Sequence, residues 1–325
     1  MAASNPPNPK PLDAVLYLRH FSLREAPFSI TPDAAYFYPH EGAQAALNTL
    51  LVAIRGGEGF LKIVGEVGCG KTVLCRQLLR VLQDECVTAY LPNPDLGPKD
   101  LLLALARELG LKLPASASRY RLLDALQACL LAHAALGRPV VVVIDEAQAI
   151  PVRTVESLRL LSNLETEKRK LLQLVLLGQP ELDRKLARVE IRQLLQRITF
   201  SEYLGPMLAQ RVPAYVKHRL SIAAIDAGTD LDLFEPAAAH ALAHYSGGVP
   251  RLVNVLANKC LMLAYGEDRH RITEAHVRLA AKDTAGIDVA ASWWDRLLGG
   301  RFRSDATAQD ALAGRRVGER PKASS

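Results

Sequence analysis

Short apolar segments alternate with amphipathic segments over the first 200 residues of the chain. Val140–Ile144 and Leu171–Leu177 are almost continuous apolar runs, which is typical of strands buried on both faces of a parallel sheet. Phe60–Val64, Val87–Leu91 and Ile198–Leu204 predict three more strands. Between the strands, apolar residues recur at helical spacing, as in the segment 41–55. The alternation predicts an α/β fold with a mostly parallel sheet.

From Pro206 onward the pattern predicts helices only, at about 207–221, 235–245, 250–265 and 273–283. We therefore predict a boundary near residue 205. The predicted organisation is a disordered leader (1–13), an α/β domain (14–205), a helical domain (206–285) and a basic, largely disordered tail (286–325).

Composition is that of a globular protein, with 49% hydrophobic and 23% charged residues. No apolar run approaches the roughly 20 residues of a membrane span, and we expect no signal peptide at the N-terminus. The five cysteines contain no C-x-x-C pair, which favours reduced thiols and a cytoplasmic location.

Much of the net charge of +6 lies in the tail. Residues 296–325 contain seven Arg/Lys and three Asp/Glu, giving +4, so the remainder carries only +2. A globally basic nucleic-acid surface is therefore not indicated, although local patches remain possible.

The segment from Gly65 to Thr72 reads GEVGCGKT and matches the phosphate-binding P-loop pattern, between a predicted strand and an amphipathic helix. Its glycines allow backbone N–H groups to point at phosphate oxygens, beside the positive end of the helix. Lys71 can reach the β- and γ-phosphates, and the Thr72 hydroxyl can join a magnesium shell. A chance match is the alternative. The predicted nucleotide-binding positions are Gly65, Glu66, Val67, Gly68, Cys69, Gly70, Lys71, Thr72 and Val73.

Two acidic residues follow the buried strand at 140–144. Asp145 lies where an open α/β sheet binds its ligands, and it suits the Walker B role of holding Mg²⁺. Glu146 is one residue further on, so its side chain points in a different direction. It suits the role of the general base that polarises the attacking water. The alternative is that the pair only ends a strand and caps a helix.

Gln179 and three arginines are further candidates. Gln179 follows the strand at 171–177 and can orient water between the two Walker elements, or it is a turn residue before Pro180. Arg192, Arg197 and Arg251 can each stabilise charge on the transferred phosphoryl group, although any arginine can equally be a solvated surface residue.

Together these segments resemble the AAA+ ATPases of the ExeA/GspA and MshM group, which are associated with secretion systems and type IV pili. The resemblance covers about residues 17–284, and Ala89–Leu96 together with the missing membrane span favours MshM within the group. The segments that carry it are FSLREAPFSITPD (21–33), the P-loop, VIDEAQ (143–148), LLSNLET (160–166), LLGQPEL (176–182), QLLQRI (193–198) and GGVPR (247–251).

The resemblance implies a three-layer αβα core with a helical lid that binds ATP and Mg²⁺. It implies that Arg197, with Arg192 as the second choice, is an arginine finger reaching a neighbouring subunit, so that the protein is a homo-oligomer, commonly a hexamer. It implies that Arg251 is sensor 2, Gln179 is sensor 1, and Phe28–Pro32 lines the adenine pocket.

Two residues depart from the family pattern. Pro213 lies inside the first predicted lid helix, so a start later than 207 is the alternative for that helix. Cys69 lies in the P-loop, either as an oxidation switch or as a small residue that fits the loop.

Three functions remain open. The first is an oligomeric ATPase that assembles a type IV pilus or secretion machine. The second is a DNA-associated ATPase similar to the regulators of some transposons. The third is a slow, nucleotide-gated adaptor that acts by binding partners. For the adaptor, the aromatic and basic segment 291–303 either contacts a partner or the inner membrane, or folds back onto the lid.

Overall fold

Five parallel strands form a single sheet in the computed structural model, which describes residues 17–162, 170–226 and 228–284. Their order is β2-β3-β4-β1-β5, and every neighbouring pair is parallel. The strands are β1 (Phe60–Val64), β2 (Val87–Leu91), β3 (Val140–Ile144), β4 (Leu172–Gly178) and β5 (Ile198–Tyr203).

Helices cover both faces of this sheet. Because both faces are buried, nearly every position of the central strands is apolar. One face, with Leu61 and Val141, packs against the helices at 41–55 and 71–82. The other face, with Val142 and Leu174, packs against the helices between 98 and 162. The predicted α/β fold with a mostly parallel sheet is confirmed, and it has three layers.

The helices agree with the segments predicted at 41–55, 235–245, 250–265 and 273–283. In the first part of the chain they are α1 (Glu41–Arg55), α2 (Lys71–Leu82), α3 (Pro98–Glu108), α4 (Arg119–Ala135), α5 (Val152–Ser162), α6 (Glu181–Leu186) and α7 (Arg192–Leu195). In the second part they are α8 (Val212–Ala223), α9 (Pro236–Ser246), α10 (Pro250–Gly266) and α11 (Glu274–Lys282).

The predicted start of the first lid helix at about 207 is wrong. Helix α8 begins at Val212, and Pro213 occupies its first turn, where its missing N–H would have no helical partner in any case. Residues 209–211 form a separate 3-10 turn. The late start that Pro213 suggested is therefore correct.

Helices α8 to α11 share one hydrophobic cluster with a segment from the beginning of the chain. Tyr17, Phe21, Leu23 and Phe28 are buried in this cluster. A backbone hydrogen bond also connects this segment to α8: the Arg24 N–H donates to Ala223 O at 2.8 Å. The predicted division at residue 205 assigns this segment to the sheet domain, whereas its core contacts are with the helical unit (the lid), and the domain limits remain a prediction.

The leader (1–13), the tail (286–325) and its aromatic segment (291–303) lie outside the described residues, as do residues 163–169. In the parts of the chain that are described, none of the helices combines the length and the apolar character needed to cross a bilayer.

Candidate nucleotide site

The P-loop connects β1 to α2 and takes the backbone shape that its glycines allow. Gly68 and Gly70 have φ of 85° and 93°, in the left-handed region that residues with a Cβ rarely adopt. The buried Lys71 folds back over the loop, and its Nζ donates to Gly65 O at 2.7 Å and to Glu66 O at 2.9 Å. The lysine is therefore held at the centre of the loop.

The loop fits a phosphate group. No side chain caps α2 at Gly70, so the first N–H groups of this twelve-residue helix remain for an anion. A Cβ added at Gly65 would lie 2.3 Å from Leu204 O, and one added at Gly68 would lie 2.8 Å from the Arg251 Cβ. The glycines are thus required by close approach as well as by conformation.

Asp145 lies beside Thr72, although 73 residues separate them. Thr72 Oγ1 donates to Asp145 Oδ2 at 2.7 Å, and Tyr90 Oη donates to the same oxygen at 3.4 Å. Burial raises the pKa of Asp145, while the hydrogen bonds from Thr72 and from the Glu146 N–H act in the opposite direction.

This oxygen pair fits the hard cation Mg²⁺. Among the described residues, no group of three or more His, Cys, Asp or Glu side chains is placed to hold a metal. Thr72 and Asp145 would therefore supply two oxygens, with phosphate and water completing the shell, as is usual for Mg²⁺.

Glu146 diverges from Asp145 because its backbone is left-handed, with φ of 49°. Its Oε2 accepts hydrogen bonds from the Nε2 atoms of Gln148 at 2.5 Å and Gln179 at 3.2 Å. The two glutamines are joined in turn, since Gln179 N–H donates to Gln148 Oε1 at 3.0 Å. Two amides thus position the Glu146 carboxylate beside the P-loop.

Gln179 follows β4, and β4 lies between β3 and β1 in the sheet. Its side chain therefore emerges between Asp145–Glu146 and the P-loop, as predicted from its place after the fourth strand. Gln148 received no predicted role. Its position two residues after Glu146, on a one-turn 3-10 helix, is the signal that would have indicated it.

A cleft with an empty volume of about 1010 Å³ lies between the sheet and the lid, part of it open to solvent. Ser29 to Asp33 form one wall, whereas Phe28 packs into the helical cluster. A smaller aromatic pocket of about 400 Å³ adjoins it, with Tyr36, Tyr38 and His40 among its lining residues. Sequence reasoning missed this pocket and the buried Arg219 in it, because no local pattern marks them.

The lid contacts the P-loop directly. Arg251, at the start of α10, donates its N–H to Gly68 O at 3.2 Å, and its side chain lines the cleft. The structure therefore places Arg251 with Lys71, Thr72, Glu146 and Gln179 around one space.

Arg197 lies elsewhere. It precedes β5, whose first residue pairs with Phe60 at the start of β1, while the P-loop follows the end of β1. At about 3.3 Å per residue, β1 alone separates the two by about 13 Å. The side chain of Arg192 lies outside what the structure describes, and its backbone begins α7.

Cys69 is buried in the P-loop, and burial raises the pKa of its thiol. A protonated, inaccessible thiol reacts slowly with oxidants. This geometry favours the small residue that fits the loop over the oxidation switch.

Comparison with known proteins shows what this chain is similar to. Residues 54–186 match the family described as AAA domain. General secretion pathway protein A of Aeromonas hydrophila is 41% identical over 283 residues, which are 87% of this chain and 51% of that protein. The chain thus spans about half the length of this relative.

Solved structures show the same fold at low identity. Cdc6p from Pyrobaculum aerophilum has a TM-score of 0.62 at 16% identity, covering 84% of this chain and 73% of that one. The ORC2 protein of Aeropyrum pernix, in its ADPNP–ADP complexes, has a TM-score of 0.60 at 18% identity, covering 83% and 74%. The RuvB Holliday junction branch migration motor of Thermotoga maritima has a TM-score of 0.52 at 19% identity, covering 75% and 68%.

These likenesses concern the fold alone. The similarity to general secretion pathway protein A supports the resemblance to the ExeA/GspA group, whereas a closer relation to MshM remains a prediction. Residues 54–186 therefore match the AAA domain, the chain has the P-loop AAA+ fold, and it is similar over most of its length to general secretion pathway protein A.

Proposed function

We propose that the chain binds ATP with Mg²⁺ and hydrolyses it to ADP and phosphate. One observation carries the proposal: Thr72 and Asp145 are joined at 2.7 Å beside the P-loop, with the Glu146 carboxylate aimed into the same cleft. In this assignment the P-loop and Lys71 bind the phosphates, and Thr72 and Asp145 hold the cation. A bound Mg²⁺ would neutralise charge on the phosphate oxygens.

Glu146 is the proposed base, since Gln148 and Gln179 hold its carboxylate in the cleft. A base that accepts a proton from the attacking water contributes about 10²- to 10⁴-fold in rate. Gln179 donates to Glu146 from between the two Walker elements, so we assign it the orientation of this carboxylate and of the water.

The variant Glu146→Gln tests the base. We expect turnover to fall by at least about 100-fold, because an amide cannot accept the proton, while ATP binding is retained. The measurements are phosphate release and the affinity for a fluorescent ATP analogue. Glu85→Gln is the matched control, because Glu85 is exposed and pairs with Arg55 on the surface. Unchanged hydrolysis in Glu146→Gln would exclude this assignment.

We propose further that hydrolysis occurs in a homo-oligomer, with Arg197 completing the site of a neighbouring subunit. Its place at the far end of β1 keeps it from the P-loop of its own chain. Two exposed apolar side chains precede it in the chain, Val189 at 74% and Leu195 at 39% exposed. Such residues are suited to a protein contact. The number of subunits, six by resemblance, and the alternative role of Arg192 belong to the same proposal.

Mixing two inactive variants tests the shared site. Arg197→Ala and Glu146→Gln should each be inactive alone. In a mixture, sites that combine an intact Glu146 from one subunit with Arg197 from the next should hydrolyse ATP. Recovery of activity on mixing is the expected result, whereas no recovery, or full activity of Arg197→Ala alone, would overturn the proposal.

We propose that the ATPase activity is used in the assembly of a secretion system. Assembly of a type IV pilus is the more specific alternative. The support is the similarity to general secretion pathway protein A over most of this chain. The proposed location is the cytoplasm, at the inner membrane face if segment 291–303 contacts lipid. Co-sedimentation with anionic vesicles, with and without residues 290–325, tests that contact. Stimulation of hydrolysis by duplex DNA with a steep salt dependence would instead favour the transposon-type function.

A further inference from the structure

Residues 27–33 are here called the strap: residues 29–33 form a wall of the nucleotide cleft, and a buried arginine attaches the strap to the lid. Arg219 on α8 is only 6% exposed. Its Nε donates to Pro27 O at 2.5 Å, and its Nη2 donates to Ser29 O at 3.4 Å. Two carbonyls at the beginning of the strap are therefore bound by one guanidinium.

The same guanidinium is anchored on the lid side and by an aromatic ring. Its Nη1 donates to Tyr215 Oη at 3.2 Å, one helical turn earlier on α8. Its Cζ lies 4.4 Å from the centroid of the Tyr36 ring, within the range of a cation–π interaction. In the described part of the chain, no carboxylate lies within 4.0 Å of it to form an ion pair. A buried cation that has no carboxylate partner carries a desolvation cost, which the carbonyls, the hydroxyl and the ring must offset.

A second lid helix reaches the same point. Asn254 Nδ2 on α10 donates to Ser29 O at 3.4 Å, and its Oδ1 accepts from Tyr215 Oη at 2.8 Å. Asn254 lies three residues after Arg251, so the two share a face of α10. The strap, α8 and α10 are thus joined by one polar network at the edge of the cleft.

We propose that Arg219 is a positioning residue that ties the strap to the lid, so that this wall of the nucleotide cleft moves with the lid as one body. The inference rests on the proposed ATP binding. Without the guanidinium fork, Pro27 O loses its side-chain donor and Ser29 O keeps only the one from Asn254, so nucleotide must order the strap when it binds. The consequence is weaker nucleotide binding with the chemical step intact.

Two substitutions separate positioning from charge. Arg219→Lys keeps the charge, but its ammonium is a point donor that cannot reproduce the planar fork, and Arg219→Gln removes the charge. For both variants of the full chain, we expect the Kd for a fluorescent ATP analogue with Mg²⁺ to rise at least about ten-fold, with kcat at saturating ATP within about two-fold. Lys217→Gln is the matched control, because Lys217 is an exposed cation on the same helix that pairs with Asp232.

Amide hydrogen exchange gives a second, activity-independent result. Without nucleotide, both Arg219 variants should exchange faster at residues 27–33 and unchanged at the P-loop. Wild-type affinity in Arg219→Lys with a loss in Arg219→Gln would assign the effect to charge and overturn the proposal. A lower kcat at unchanged KM would indicate a smaller folded fraction and would also overturn it.

If neither Arg219 variant folds, Asn254→Ser removes the second donor to Ser29 O and should raise the Kd by a smaller factor. An unchanged Kd there would overturn the proposal. Wild-type protein that binds no nucleotide would instead refute the proposed function, so the two failures are distinguishable.

Discussion

The sheet unit and the lid unit form opposite walls of the same cleft, and they are assembled differently. On the sheet side, each functional residue directly follows a strand: the P-loop follows β1, Asp145 follows β3 and Gln179 follows β4. On the lid side, the wall combines α8 and α10 with a strap from nearly 200 residues earlier in the chain. The sheet side depends on local strand-to-loop order, whereas the lid side depends on long-range packing.

Among the substitutions considered, Phe28→Ala should reduce stability the most, and it should destabilise the lid unit rather than the sheet unit. Phe28 is fully buried in the helical cluster, and removing a buried phenyl ring costs about 3–5 kcal/mol. Hydrogen exchange should accelerate first in α8 and α10, while β3 and β4 stay protected. The measurements are chemical denaturation and exchange by mass spectrometry. Ile30→Ala is the control, because Ile30 is 60% exposed and its truncation should cost less than about 0.5 kcal/mol. Equal acceleration in β3 would contradict independent assembly of the two units.

Gly65→Ala tests the sheet side. We expect it to reduce stability less than Phe28→Ala does, but to reduce the affinity for ATP strongly. The new methyl group would lie 2.3 Å from Leu204 O, so the backbone must shift, at a cost of about 1–3 kcal/mol. Because the same backbone forms the phosphate loop, affinity for ATP should fall far more than after Gly266→Ala. Gly266 ends α10 with open space around it, which makes it the control. Full nucleotide affinity in Gly65→Ala would show that the loop tolerates displacement.

Asp145→Asn should change stability the least of the three substitutions, and it should stabilise the protein rather than destabilise it. Burial raises the pKa of Asp145 above its unfolded value of about 3.9, so the folded state binds the proton more tightly. The stability that this group contributes is present below the unfolded pKa and is lost as pH rises through the folded pKa. The Asn variant, which has no charge to bury, should therefore melt at a higher temperature than wild type at pH 7–8, with the difference shrinking below about pH 4. Asp124→Asn, at an exposed position of α4, should show no such trend. A wild-type protein that is more stable than Asp145→Asn at pH 8 would contradict this sign.

Most of the sheet side was predictable because its signals are local. Strands buried on both faces must be apolar along their whole length, so Val140–Ile144 indicated both its conformation and its place in the sheet. The P-loop pattern fixes glycine at positions 65 and 70, and the left-handed φ of Gly70 agrees with that requirement. Pro213 likewise indicated the late start of α8.

The lid side could not be predicted from the sequence, because its contacts join segments that are far apart in the chain. The resemblance implied that Phe28–Pro32 lines the adenine pocket, but nothing local shows that Phe28 is buried among the lid helices while Ser29 faces the cleft. Arg219 belongs to an amphipathic helix in which an arginine is ordinarily solvated. Its burial against Pro27 O depends on a hydrogen bond across 192 residues.

The sequence by itself determined the α/β sheet, the phosphate loop and the two acidic residues that follow β3, since each depends on backbone conformation and burial within a short segment. Tertiary structure alone decided that Gln148 and Gln179 hold Glu146, that Arg251 contacts the P-loop, and that Arg197 lies at the far end of β1. The physical reason is that hydrophobic burial and glycine conformation are properties of a short segment. Hydrogen bonds between side chains depend instead on where the strand order and the lid bring distant segments together.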